Sequence, residues 1–192
     1  MFKRQIKFYT PEEYLALEES IDQKSEYYNG EIFAMAGGSY NHNVLSGNFY
    51  AALNQFLMNR SCTAFTSDMR LLVESVELYT YPDVMVICGE PQLVPGRTDT
   101  VTNPVLIIEV LSKSTQDYDR GLKFEFYRTI DSFQDYVLVD QDRVHLEYYR
   151  KQPDGRWLLT EIKAVDAFLT LESIGLSLSI RQIYNKVDWF AG

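Results

Sequence analysis

The spacing of apolar and polar residues predicts a chain that mixes helices with strands. Apolar residues three or four positions apart predict a helix that ends near Arg60: Val44, Leu45, Phe49, Leu53, Phe56 and Leu57. Thr10-Pro11-Glu12-Glu13 has the cap, the proline and the glutamate that begin a helix with a capping box. A third helix is predicted from about Gln116 to Thr129, with Leu122 and Phe126 on its core side.

Short apolar runs predict strands at about 63–67, 71–74, 83–87, 105–111 and 136–139, with a hairpin over 144–150 and 157–162. Asn29-Gly30 predicts a hairpin turn earlier in the chain. His145, in the later hairpin, is expected at the surface. The strands at 83–87 and 105–111 are joined by an irregular loop, which allows them to be antiparallel neighbours. A helix joins 105–111 to 136–139, which favours a parallel pair. The pattern therefore predicts an α/β fold with a mixed sheet, flanking helices and extra antiparallel hairpins.

Composition narrows the class of protein. A length of 192 residues predicts one domain over positions 1–192, and a hydrophobic content of 46% is ample for a core. The net charge of −9 argues against a general nucleic-acid coat protein, because such proteins carry an excess of positive charge. An enzyme with a local basic groove remains compatible with this charge.

The cysteines and the absence of long apolar runs bear on the compartment. Cys62 and Cys88 lack CxxC spacing, so a zinc site is not expected. Reduced, buried thiols are the expectation, and a disulfide is the open alternative. No apolar run approaches the ~20 residues of a spanning helix, so no membrane association is expected. The basic N-terminus has no apolar segment typical of a signal peptide, which favours a cytoplasmic location.

Two carboxylates stand where burial is expected. Asp83 begins the apolar run Val84–Ile87, and Glu109 lies inside the run Val105–Leu111. A carboxylate within a core strand is costly unless it is paired, hydrogen-bonded or bound to a cation. Each has an ordinary interpretation as well: Asp83 as a strand-start residue in a turn, and Glu109 as the partner of a core arginine or hydroxyl.

Together the two carboxylates suggest a divalent-metal site for phosphodiester hydrolysis. Magnesium takes one or two carboxylates plus water, so Asp83, Glu109 and the backbone carbonyl of Val110 would suffice for Mg²⁺ or Mn²⁺. A lysine beyond them would orient the water or stabilise the transition state. The candidates are Lys113, in the turn after the strand, and Lys123, on the following helix. With Asp119 four residues before it, Lys123 could instead belong to a solvated ion pair.

Several stretches of the chain resemble the bacterial Uma family, a restriction-endonuclease-like branch of the PD-(D/E)XK nuclease superfamily. The resemblance covers roughly residues 10 to 185. The matching stretches are Ser25–Ile32, His42 near a helix start, Tyr81–Val84, Ile108–Thr115, then Asp119, Lys123 and Tyr127, and finally Tyr136–Asp140.

The resemblance implies a restriction-endonuclease-like core with Asp83 and Glu109 as metal ligands. The superfamily's usual lysine lies two residues after the acidic one, and that position is Leu111 here. The resemblance implies that the lysine has moved onto the helix, as Lys123. It also makes Glu26 a third acidic candidate for the metal site, with an exposed strand residue as the alternative.

Further polar residues are expected near this site. His42, at a helix start, is expected to be structural, with contact to phosphate or substrate as the alternative. Arg120, Lys123 and Arg128, with Lys113 before them, could form a positive lip for a phosphate backbone, although a mixed-charge helix has the same composition.

The sequence thus predicts a metal-dependent endonuclease that acts on DNA. The alternative is a non-catalytic nucleic-acid-binding or regulatory module that retains the fold, and a third is a phosphoesterase with a narrow pocket for a small nucleotide. A homodimer is plausible because double-strand cutting needs two active centres. Lys123 pointing to solvent, away from both carboxylates, would favour the non-catalytic module.

Overall fold

The computed structural model describes residues 7–21 and 23–190, so the basic segment at positions 1–6 lies outside the described residues. The helices are α1 (Pro11–Ser20), α2 (Tyr40–Leu57), α3 (Gln116–Tyr118), α4 (Phe124–Tyr127) and α5 (Ile180–Ile183), with a 3₁₀ turn at Glu74–Val76 and a π-helical segment at Asp119–Lys123. No helix in this part of the chain combines the length and the apolar character needed to span a membrane.

Thirteen strands are present in the described residues: β1 (Ser25–Tyr28), β2 (Glu31–Ala34), β3 (Cys62–Thr66), β4 (Arg70–Val73), β5 (Leu78–Thr80), β6 (Val84–Cys88), β7 (Thr100–Val101), β8 (Leu106–Leu111), β9 (Asp135–Asp140), β10 (Leu146–Lys151), β11 (Trp157–Ile162), β12 (Phe168–Leu171) and β13 (Leu176–Ser179). They form a six-stranded sheet in the order β11-β10-β9-β8-β6-β3, a five-stranded sheet in the order β2-β1-β5-β4-β7, and the hairpin β12-β13. The predicted α/β fold with a mixed sheet and extra hairpins is confirmed.

Strand β8 lies near the middle of the six-stranded sheet. It pairs antiparallel with β6 and parallel with β9, as the two connections predicted. All six of its residues are buried, because helices or other chain segments cover both faces of the sheet.

Alternation along β8 sends its side chains into two different cores. Ile108 and Val110 pack with the apolar stripe of α2, which includes Leu45 and Phe49. Side chains at odd positions, such as Ile107, belong to the core beneath α4. Glu109 also stands at an odd position, so its side chain lies on the same face of the sheet and faces the segment that carries Lys123.

The local signals at α1 and the first hairpin are confirmed. Thr10 and Glu13 form both hydrogen bonds of a capping box. The Asn29-Gly30 turn joins β1 to β2, and both residues have positive φ, at 49° and 85°. Asparagine and glycine are the residues that best tolerate such a turn.

The third predicted helix is interrupted. A π-helical segment, Asp119–Lys123, separates α3 from α4 and widens the turn by one residue. This shift turns Lys123 inward and leaves Leu122 43% exposed, so the prediction that Leu122 faces the core is wrong. Phe126 is buried as predicted.

Three further expectations are corrected. Cys62 and Cys88 lie directly opposite each other on β3 and β6 and form a disulfide, so the expected reduced thiols are wrong. Because disulfides are rare in reducing compartments, this pairing does not support a cytoplasmic location. His145 is buried and hydrogen-bonded to Glu161 rather than lying on the surface. The loop predicted after Cys88 contains β7, which pairs with β4.

Candidate active site

Asp83 joins the start of β6 to β8 through its side chain. The regular pairing of these strands ends at Val84 and Ile108. Beyond that point the Val110 amide donates to Asp83 Oδ2 at 2.7 Å, and the Asp83 amide donates to Glu109 Oε2 at 3.2 Å. The two carboxylates are therefore fixed against each other by the backbone of the two strands.

Glu109 is 4% exposed and has both oxygens engaged. Its Oε1 accepts a hydrogen bond from the Tyr127 hydroxyl at 2.9 Å and lies 3.1 Å from Lys123 Nζ. Burial raises the pKa of Glu109 to about 8, with Lys123 acting against the rise and Asp83 adding to it. A buried carboxyl group with a raised pKa is stabilised by binding a proton or by a cation in addition to Lys123.

Lys123 points inward and contacts three carboxylates. Its Nζ lies 3.1 Å from Glu109, 3.2 Å from Glu26 and 3.6 Å from Asp119. Burial acts to lower the pKa of Lys123, but Glu109, Tyr127 and Glu26 hold it well above its usual value. The ammonium group is therefore a fixed positive charge, suited to electrostatic stabilisation rather than to removing a proton.

Glu26 reaches this group from the neighbouring sheet. It lies on β1, its side chain is 14% exposed, and its Oε1 accepts a hydrogen bond from the Thr80 hydroxyl as well as the contact from Lys123. The alternative of an exposed strand residue is thus wrong for Glu26. Asp83, Glu109, Glu26, Asp119 and Lys123 are called the carboxylate cluster below.

His42 approaches Asp83 from the first turn of α2. Its Nε2 lies 3.1 Å from Asp83 Oδ2, and its amide is capped by Ser39. Burial lowers the pKa of His42, and the contact with Asp83 more than offsets this, so the net shift is upward. Gly38 permits this packing, because a Cβ there would lie 2.7 Å from His42 Nδ1.

The two lysine candidates are separated by the structure. Lys113 is exposed in the turn after β8, whereas Lys123 contacts Glu109. Leu111, at the position of the superfamily's usual lysine, is 5% exposed and packs in the core beneath α4. The structure thus brings Asp83, Glu109, Glu26 and Lys123 together and leaves Lys113 outside.

Two residues contact the site in ways that the sequence did not predict: Tyr127, which was expected to pack in the core or stack a base, and Thr80. Tyr127 lies four residues after Lys123, so helical spacing was a signal that both approach Glu109. Thr80 holds Glu26 from β5, a strand that the sequence did not predict. Nothing in the local sequence indicates that contact.

The donor set suits a hard divalent cation. Three carboxylates contact Lys123, the fourth, Asp83, contacts His42, and burial makes the repulsion among the four carboxylates costly. Within residues 7–21 and 23–190, no three His, Cys, Asp or Glu side chains are grouped as metal ligands. A site here would therefore use the Asp83–Glu109 pair with backbone and water oxygens, a donor set that Mg²⁺ accepts. The carbonyl of Val110 lies on the same strand edge as the amide that contacts Asp83.

The carboxylate cluster lies in a cavity of about 860 Å³ between the two larger sheets and α3. Its lining includes Phe33, Tyr118 and Leu122 beside the carboxylates. Lys123 is its one lysine among the described residues, and no arginine of those residues lines it. The positive lip considered for this site is absent from the described lining: Arg120 pairs instead with Glu147 at 2.8 Å.

Comparison with known proteins identifies a family and two relatives that the chain matches over most of its length. The model of the Uma2 family, described as "Putative restriction endonuclease", matches residues 11–181. An uncharacterised protein of Synechocystis sp., sll1609, is 46% identical over 161 residues, covering 84% of this chain and 91% of the relative. A second Synechocystis protein, slr1290, also uncharacterised, is 42% identical over 175 residues, covering 91% of this chain and 90% of the relative.

The fold has a solved counterpart. A crystal structure from Anabaena variabilis, described as "a putative nuclease", superposes with a TM-score of 0.75 at 22% identity, over 92% of this chain and 97% of that one. At that identity the likeness concerns the fold, which is the nuclease-like arrangement that the resemblance implied. From the match over residues 11–181 and the two close relatives, the chain belongs to the Uma2 family.

Proposed function

We propose that this protein is a metal-dependent endonuclease that hydrolyses phosphodiester bonds in DNA. The observation that carries the proposal is the position of Lys123, whose Nζ lies 3.1 Å from Glu109 while Glu109 is hydrogen-bonded to Asp83. A lysine turned to solvent would have favoured the non-catalytic module. Its burial against both Glu109 and Glu26 supports catalysis instead.

Asp83 and Glu109 would hold Mg²⁺ or Mn²⁺, with the Val110 carbonyl as a third oxygen and Glu26 acting through water. The ion would neutralise charge on the scissile phosphate and lower the pKa of the attacking water. Tyr127 fixes the orientation of Glu109 by donating to Oε1. The backbone amide of Val110 fixes the orientation of the Asp83 side chain by donating to Oδ2.

Lys123 would supply positive charge where the transition state gains negative charge. Because the surrounding carboxylates keep it protonated, it would also donate a hydrogen bond that orients the attacking water. His42 is placed to orient Asp83 through the contact at Oδ2. In this scheme the metal ligands, Lys123 and His42 have separate tasks.

Cleavage of supercoiled and single-stranded DNA with Mg²⁺ or Mn²⁺ tests the proposal, with native protein compared with Glu109→Ala. Glu147→Gln is the matched control, because Glu147 is also a buried strand carboxylate but lies outside the cavity lining. We expect metal-dependent cleavage that is lost in Glu109→Ala and kept in Glu147→Gln. Equal cleavage in native protein and Glu109→Ala would contradict the proposal, as would no cleavage with either metal.

A further inference from the structure

The cavity that holds the carboxylate cluster has unusually apolar walls for a site that would bind phosphate. Phe33 is 48% exposed and Leu122 is 43% exposed, and both line the cavity together with the ring of Tyr118. Isolated exposed apolar residues are common, but several around one concave site indicate a ligand with an apolar face.

Phe33 is directly beside the carboxylate cluster. In the β1–β2 hairpin it lies opposite Glu26, and opposite residues of an antiparallel pair project on the same face. Glu26 in turn lies 3.2 Å from Lys123. A flat group stacked on Phe33 would therefore be one side chain away from the proposed catalytic lysine.

The charges around the cavity do not suit a duplex. Proteins that bind duplex DNA draw most of their affinity from arginine and lysine contacts to many phosphates. Among the described residues the cavity is lined by one lysine, Lys123, which three carboxylates already contact. Apart from the proposed metal ion, little positive charge is available to phosphates, so the base, which has an apolar face, would supply much of the affinity.

We propose that the site takes an unpaired DNA strand, with a base stacked on Phe33 and the scissile phosphate beside Lys123. This inference rests on the proposed endonuclease function and specifies its substrate. In a duplex the faces of the bases are covered by their neighbours, whereas an unpaired strand offers them to aromatic side chains. Tyr118, whose ring centroid lies 5.8 Å from Lys123 Nζ, is a second stacking surface within the same cavity.

The test compares one labelled oligonucleotide as a single strand and as a blunt duplex with its complement. Binding is measured by fluorescence anisotropy with Ca²⁺ at low salt, and cleavage is measured separately with Mn²⁺. The variants are Phe33→Leu, which keeps an apolar side chain but removes the ring, and Phe33→Tyr, which restores a ring. Phe168→Leu is the matched control, because Phe168 is an exposed strand phenylalanine outside the cavity lining.

We expect the single strand to bind at least about tenfold more tightly than the duplex. Phe33→Leu should weaken single-strand binding roughly fivefold or more, the lower end of a lost base–aromatic stack. Phe33→Tyr should restore most of this binding, and Phe168→Leu should match native protein. Three results would overturn the inference. They are equal affinity for the duplex and the single strand, single-strand affinity in Phe33→Leu equal to that of native protein, and no binding to either DNA.

The two measurements separate this inference from the proposed function. Ring-dependent preference for the single strand without any cleavage would uphold the inference about the ligand and overturn the endonuclease. Metal-dependent cleavage of the duplex at the rate of the single strand would uphold the endonuclease and overturn the inference.

Discussion

Two clusters of charged side chains lie in this protein, and they differ in burial and in how their charges balance. Beneath α1, Arg70 is in contact with Glu18 and Asp99, and Arg97 pairs with Glu19 and Asp99. We call these five residues the α1 cluster. It has two guanidinium groups for three carboxylates, and further hydroxyl and amide donors complete the hydrogen bonding of Glu18.

The carboxylate cluster of the cavity has a larger excess of carboxylates over cations. It has four carboxylates and one ammonium group. The pKa values reflect the contrast: the hydrogen bond from Arg97 lowers the pKa of Asp99 to about 2, whereas burial raises that of Glu109 to about 8. Well-matched charges hold elements together, whereas an excess of buried carboxylates over cations costs stability, a feature that is common at functional sites.

Replacing Lys123 should have the largest effect on activity. With Lys123→Met we expect DNA cleavage to fall roughly 10²- to 10³-fold, as when a preorganised electrostatic donor is removed. Lys113→Met is the matched control, because Lys113 is exposed and lies outside the cavity lining. Single-turnover cleavage rates measure both. Loss of activity in Lys113→Met with Lys123→Met intact would reverse the assignment of the lysine.

Substitutions in the two clusters should change stability in opposite directions. Arg70→Met leaves Glu18 buried without its cation, so we expect the free energy of unfolding to fall by about 3 kcal/mol. Glu109→Gln removes a repelled carboxylate, so at neutral pH and without metal we expect no loss, or a gain of about 1 kcal/mol. Urea denaturation measures both. A loss in Glu109→Gln as large as in Arg70→Met would show that the clusters do not differ as described.

The same contrast predicts opposite dependences on pH. The folded-state pKa of Glu109, about 8, lies above the ordinary value of 4.5, so its stabilising contribution is full below about pH 4.5 and is lost as pH rises towards 8. The pKa of Asp99, about 2, lies below the ordinary 3.8, so its contribution is present above about pH 4 and is lost as pH falls.

Urea denaturation across pH checks these signs. The stability of native protein relative to Glu109→Gln should decline between about pH 5 and pH 8. Its stability relative to Asp99→Asn should decline as pH falls from about 4 to 3. Differences that stay constant over these ranges would argue against the two pKa shifts.

Tyr127→Phe should give the smallest effect. The substitution removes one buried hydrogen bond to Glu109 Oε1 and keeps the ring in the core. We expect a cost of about 1 kcal/mol in stability and roughly a few-fold decrease in cleavage from a less firmly oriented Glu109. A decrease as large as that of Lys123→Met would mean that the hydroxyl itself takes part in the chemistry.

Much of the fold could be predicted because local rules decide it. The capping box at Thr10, the Asn29-Gly30 turn and the buried run of β8 each depend on a few adjacent residues. The parallel pairing of β8 with β9 followed from the length and type of the connection between them. These connections also placed Asp83 and Glu109 on neighbouring strands.

The remainder depends on contacts between distant parts of the chain. The π-helical segment that turns Lys123 inward has no distinctive sequence, so ordinary helical spacing placed Leu122 in the core. The disulfide depends on the register of β3 and β6, which brings Cys62 and Cys88 together across 26 positions of sequence. Thr80 meets Glu26 because β1 and β5 pair, a long-range contact.

The central claim is that Asp83 and Glu109 together bind a divalent cation. Crystals of the native protein soaked in Mn²⁺ and measured at the manganese absorption edge test it most directly. We expect an anomalous peak about 2.0–2.3 Å from oxygens of both Asp83 and Glu109, which disappears in crystals of Glu109→Gln. A peak elsewhere, or no peak in crystals of protein that cleaves DNA with Mn²⁺, would contradict it.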